Sequence, residues 1–169
     1  AVDSDYGVGG FGGLQELPDL NKPVIAAVNG ICCGGGLEWA LSADLILAAE
    51  HATFALPEIN SGTIADAATL KLPKRIPWHI AMELLFTGRW MDAAEAHRWG
   101  LVNEVLPSGS LLDRAHELAA TLAEGPPLVY AASKDCPLYP SDAADDSSRL
   151  HPGGSRPPKH TLTPNCPAY

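Results

Sequence analysis

Charge is scarce in this chain, and long apolar runs are absent. Only 18% of its 169 residues are Asp, Glu, Lys or Arg, and 20 acidic against 11 basic side chains leave a formal net charge of −9. A surface of that sign repels phosphate backbones and anionic lipid, so nucleic acid and membrane are not expected as partners. No apolar run approaches the ~20 residues of a membrane span. No signal-peptide pattern opens the chain, so a cytoplasmic protein is expected. The first residue is Ala1 rather than Met, which fits processing or truncation upstream. Cysteine is sparse, with four in all. No C-x-x-C occurs and no histidine stands at ligand spacing from a cysteine, so no metal site is expected. Reduced, buried thiols are the plain reading. The six histidines show no paired metal spacing. There is also no G-x-S-x-G nucleophile elbow.

What is present is 46% hydrophobic sequence, enough for one globular core. Residues 1–22 form a Gly-rich, loop-like lead-in. A core segment covers 23–106, a helical region 107–134, and residues 135–169 are crowded with Pro, Ser, Asp and Gly. "PVIAAVNG" (23–30), "LILAAE" (45–50), "ATFAL" (52–56) and "LVNEVLP" (101–107) read as strands. Helices are expected behind the glycines of "GGGLEWALSAD", over 79–88, over 91–100, over 110–125, and from "PLVYAASK" onward. "PEIN" opens a short helix, with proline at its start. Asp92 serves as an N-cap, with Glu95 completing a capping box. Strands alternate with helices early and helices dominate late, which predicts an α/β fold. The scattered prolines of the tail exclude helix and central strand, so 135–169 is expected to be unstructured.

Gly7, Gly9 and Gly12 match G-x-G-x-x-G by spacing. With no strand before them and no helix after them, a flexible loop is the better reading. Gly34, Gly35 and Gly36 differ, because they follow a strand signal and open a helix. Unpaired N–H groups there make an anion or oxyanion site. A tight packing turn would use the same glycines, and spacing does not separate the two. Glu38 follows among apolar neighbours, where a partly buried carboxylate suits acid/base work. Glu58, 20 residues later, is a second carboxylate behind an apolar strand. Two antiparallel elements would return it to Glu38, although an exposed glutamate is the plainer reading of its spacing. Asp66 lies in "GTIADAATLKLPK", read as a loop, where surface solvation competes with a place in a pocket wall.

Taken together, K-P-V-I-A-A-V-N-G, then G-G-G-x-E, then P-E 20 residues after that glutamate, then T-G-R and A-x-x-A-x-x-x-G-L-V resemble the crotonase superfamily of enoyl-CoA hydratases and isomerases. The resemblance runs from about residue 6 to 134. Within the superfamily, "DYGVGGFGGL" followed by "LNKPVIAAVNG" is most similar to carnitinyl-CoA dehydratases. The resemblance implies a partial ββα superhelix followed by helices. It implies Glu38 and Glu58 as the catalytic pair, the Gly35 N–H as half of an oxyanion hole, and Gly34 and Asp66 in the substrate pocket. It also implies an acyl-CoA substrate, no separate cofactor, and a homotrimer or hexamer. In the family the second oxyanion N–H lies upstream of the stretch corresponding to Ala1, and further helices stand where the Pro-rich tail follows Lys134. "GTIADAATLKLPK" also lacks the usual paired glycines after Asp66. Two readings follow: an enoyl-CoA hydratase-type lyase, with an isomerase as its variant, or a silent remnant that binds complete subunits.

Overall fold

The computed structural model describes residues 7–10 and 12–135. The described residues up to Ala132 form one compact unit, and a second begins at Ser133. Asp135, expected in the unstructured tail, instead closes a helix. The rest of that expectation, with Cys136 and Cys166, lies outside the described residues.

Among the described residues, six strands make two sheets. β1 (Ile25–Val28), β3 (Leu45–Ala49) and β6 (Glu104–Leu106) form one, entirely parallel, in the order β1-β3-β6. β2 (Ile31–Cys33), β4 (Thr53–Ala55) and β5 (Met91–Asp92) form the other, with β2 and β4 parallel and β5 antiparallel to β4. The chain therefore steps from sheet to sheet before returning to the first. Ile25 lies opposite Leu45 and Ile31 opposite Thr53, advances of 20 and 22 residues. Parallel pairing demands such crossovers, because a tight hairpin joins only antiparallel neighbours.

The sequence IAAV of β1 and LILAA of β3 is continuously apolar, as a parallel strand between packed layers requires. β3 serves two cores through its alternation. Ile46 and Ala48 enter the main cluster with Leu37, Leu41, Phe54, Leu56, Leu72, Leu84 and Met91. Leu47 and Ala49 enter a smaller one with Leu111 and Ala115. Burying each such Leu or Ile side chain contributes roughly 1.5–3 kcal/mol.

The helices are α1 (Gly35–Ala40), α2 (Asp66–Lys71), α3 (Trp78–Thr87), α4 (Ala93–Arg98), α5 (Leu111–Ala123) and α6 (Pro127–Asp135). A 3₁₀ turn, Pro57–Ser61, stands where "PEIN" predicts a short helix. Gly88 ends α3 in the left-handed conformation, φ +63°.

Three further expectations need correction. The segment read as a loop around Asp66 is helix α2, because Ala65, Ala68 and Leu72 recur at helical spacing and are all buried. The return from Glu38 to Glu58 uses the parallel pair β2–β4 rather than antiparallel elements, with β3 crossing to the other sheet between them. The capping box is half made. Asp92 Oδ1 accepts the Glu95 N–H at 2.7 Å, but the Glu95 carboxylate is held by Arg89 at 2.7 and 3.0 Å. The described part of the Gly-rich lead-in consists of turns, with Gly10 N–H to Gly7 O at 3.1 Å and Gly13 N–H to Gly10 O at 2.9 Å.

Candidate active site

Strand β2 ends at Cys33, and Gly34 then turns the chain into α1. Its backbone, φ +55° and ψ −128°, is one that side chains disfavour. Its N–H is spent on Ala55 O at 3.0 Å, which welds the turn to the end of β4. A methyl group at residue 34 would stand 2.8 Å from Glu58 Oε1. Both the dihedral and the carboxylate therefore require glycine here. Gly35 is the first helical residue, so its N–H has no acceptor within the helix. The N–H groups of Leu37 and Glu38 turn inward to Gly34 O, at 2.9 and 3.1 Å.

Glu38 is 8% exposed, the one charged side chain in the buried class among the described residues. Leu37, Ala40 and Leu41 around it are buried, as its apolar neighbours predict, while Trp39 is half exposed. Glu38 Oε1 accepts the Ala68 N–H at 3.1 Å, a contact supplied by α2. Glu58 sits in the turn after β4. Its main-chain oxygen accepts the Thr63 N–H at 3.1 Å, which fixes the turn. Its Oε2 is buried with no hydrogen-bond partner among the described residues. A buried carboxylate oxygen without a donor costs about 1–3 kcal/mol or more, so it calls for a ligand or a proton.

Gly35, Glu38, Glu58 and Asp66 line one cavity of about 920 Å³. The parallel register explains the convergence: Cys33 lies opposite Ala55, so the chain leaves the two strands at one level, toward α1 and toward the Glu58 turn. Asp66 is exposed in the first turn of α2, on the cavity rim. Gly34 stands against Glu58, just outside the lining.

Lys71 and Gln15 are among the lining residues that the sequence did not mark. Lys71, at the end of α2, donates from Nζ to Ser42 Oγ at 2.7 Å and to Gln15 O at 3.2 Å, and Ser42 Oγ in turn donates to Glu38 O at 2.9 Å. Burial holds the Lys71 ammonium below its ordinary value, Arg75 adds to this, and Glu38 and Glu16 pull the other way. Gln15 comes from the lead-in turns. The helical spacing of α2 would have placed Lys71, whereas nothing in the local pattern marks Gln15. A second hollow of about 750 Å³, between β1, α5 and α6, contains Ile25, Leu112 and Tyr130 and no acidic residue.

Residues 2–144 match the family model described as enoyl-CoA hydratase/isomerase. The carnitinyl-CoA dehydratase of Proteus mirabilis is 53% identical over 136 residues, 80% of this chain and 52% of that protein. Its counterpart from Salmonella arizonae is 54% identical over the same shares. Among solved structures, a carnitinyl-CoA dehydratase from Mycobacterium avium superposes with TM-score 0.65 at 48% identity, covering 68% of this chain and 45% of that one. An enoyl-CoA hydratase from Mycobacterium tuberculosis gives 0.68 at 41% identity, over 83% and 53%. The chain spans about half the length of the curated relatives it matches. With its α/β architecture and a family match over most of its length, this chain belongs to the enoyl-CoA hydratase/isomerase family.

Proposed function

We propose that the cavity between Glu38 and Glu58 serves reversible hydration of a short-chain enoyl-CoA, with crotonobetainyl-CoA and carnitinyl-CoA as the substrate pair. The observation that carries this reading is the convergence of two carboxylates and the Gly35 helix start on one cavity. The carnitinyl-CoA dehydratases among the relatives support the choice of acyl group.

The chemistry follows from the residues. Water adds its oxygen to the β-carbon of the enoyl thioester and a proton is delivered to the α-carbon. One carboxylate takes the proton that water loses, and the other supplies the α-proton. Charge gathers on the thioester oxygen in the enolate-like transition state. The Gly35 N–H faces that oxygen as one donor of an oxyanion hole. Losing a donor of this kind costs typically ~10²–10³ in rate. Glu38, steadied by the Ala68 N–H, keeps a fixed orientation for its part. Asp66 and the neighbourhood of Gly34 bound the acyl pocket. The resemblance supports a trimer or hexamer working in the cytoplasm.

Two other readings stand. Isomerisation would use the same enolate with a proton returned to a different carbon. In a silent partner of complete subunits, the same carboxylate pair would turn over no substrate. The deciding experiment is hydration of crotonobetainyl-CoA by this chain and by a fusion carrying the N-terminal segment of a relative. The chain alone should turn over poorly, because the second oxyanion donor belongs to that segment in the family. The fusion should be active. A folded but inactive fusion would establish the silent partner. Turnover by the chain alone near the enzyme median of ~10 s⁻¹ would show that the donor comes from elsewhere.

A further inference from the structure

Two residues that line the cavity each hold an unsatisfied polar atom, and the two atoms are of opposite kind. Among the described residues, Glu58 Oε2 is a buried acceptor without a donor, and Gln15 Nε2 is a buried donor without an acceptor. Both residues line the same cavity. Orphaned buried polar atoms are rare in folded proteins, and a pair on residues lining one cavity points to a ligand that satisfies both. A hydroxyl, which donates and accepts at once, is a group that can meet both needs.

Gln15 is also held in place. Its carbonyl accepts from Lys71 Nζ at 3.2 Å, and Lys71 is anchored on Ser42 at 2.7 Å. The Glu16 N–H next to it closes back on Gly9 O at 3.1 Å.

We propose that Gln15 is a specificity-determining residue whose amide donates to the β-hydroxyl oxygen of a hydroxyacyl-CoA, while Glu58 Oε2 accepts the proton of that hydroxyl. The inference rests on the acyl-CoA reading of the cavity and adds a residue to it. Gln15 thereby favours the hydroxyacyl thioester over its deoxy counterpart.

The test is equilibrium binding of 3-hydroxybutyryl-CoA and butyryl-CoA to the unaltered chain and to Gln15→Met, which preserves length and removes the amide. The unaltered chain should prefer the hydroxyacyl thioester by about tenfold. Gln15→Met should lose that preference while binding butyryl-CoA and unfolding thermally as before. Equal weakening toward both thioesters, or a preference that survives the substitution, would overturn the role of Gln15 and leave the acyl-CoA reading standing. Failure of the unaltered chain to bind either thioester would overturn both. Gln15→Asn, which keeps the amide on a shorter arm, should retain part of the preference if donation rather than packing sets it.

Discussion

Glu38 and Ala68 lie 30 residues apart in sequence, yet the Ala68 N–H donates to Glu38 Oε1 at 3.1 Å. That bond ties α1 to α2 and fixes one oxygen of the buried carboxylate. It separates two roles of Glu38 that substitution can tell apart. Glu38→Gln keeps the acceptor and removes the charge, whereas Glu38→Leu strands the Ala68 N–H. Glu38→Leu should lose about 1–3 kcal/mol more stability than Glu38→Gln in urea unfolding. Equal losses would mean that the contact contributes nothing to the fold.

In an active fusion, Glu38→Gln and Glu58→Gln should each lower kcat by at least ~10²-fold with the fold intact. Steady-state hydration rates beside circular dichroism check this. Normal turnover in either variant would remove that residue from the proton transfers.

Gly34→Ala forces a side chain onto φ +55° and drives its methyl toward Glu58 Oε1. Backbone strain of this kind costs about 1–3 kcal/mol. Lower thermal stability is expected, together with weaker acyl-CoA binding as Glu58 moves. Unchanged values of both would show that the turn relaxes freely.

Burial, with Cys33 beside it, pushes the Cys32 thiol from its ordinary 9.0 up to about 12. The folded chain keeps this proton where the unfolded chain releases it. The contribution is therefore complete below pH 9.0 and fades as pH climbs toward about 12. The limiting slope is ~1.4 kcal/mol per pH unit. Lys71, held low in the fold, contributes with the opposite sign in alkali. The comparison is thus made between Cys32→Val and the unaltered chain, by urea unfolding from pH 8 to pH 10.5. The variant should lose less stability across that range, and parallel curves would refute the assignment.

Arg89 joins α3 to α4 by bonding Glu83 at 2.9 Å and Glu95 at 2.7 Å. Its guanidinium holds the Glu95 carboxyl below the usual carboxylate value, with the Trp99 indole helping. A carboxylate lowered in the fold stabilises above its unfolded value and ceases to do so on acidification. The site is partly exposed, so Glu95→Gln should cost about 0.5–1 kcal/mol near neutrality. The gap from the unaltered chain should narrow as pH falls below the ordinary carboxylate value of 4.5. A gap independent of pH would mean that packing, not charge, sets the effect.

The sequence made some parts of this molecule plain and hid others for physical reasons. "LILAAE" and "PVIAAVNG" announce buried parallel strands by unbroken apolar character. Asp92 and Gly88 mark helix ends by side-chain and backbone chemistry that acts locally. β2 and β5 went unread, because Ile31–Cys33 and Met91–Asp92 are too short to show a period and become strands only through β4. Glu38 and Glu58 stood out by their positions after glycines and after a strand. That the two face one cavity depends on the register of β2 against β4, which is a tertiary fact. Gln15 was hidden for the same reason, since Lys71, which bonds its main-chain oxygen, lies 56 residues away; Lys71 was missed with the helical period of α2.

The stepping of the chain between its two sheets has a kinetic consequence. β1 meets β3 after 20 residues, whereas Leu111 of α5 reaches Leu47 only after 64. Loop-closure entropy makes the longer contact about 1 kcal/mol costlier before any packing rewards it. The early windings can thus form from near neighbours, and with them the bend at Gly34, the Glu58 turn and the cradle under Glu38. The docking of α5 comes later, onto a surface already in place. The reacting centre belongs to the part of the chain that folds from short-range contacts, so damage to the remote helices should slow completion of the fold more than it disturbs the geometry of the two carboxylates.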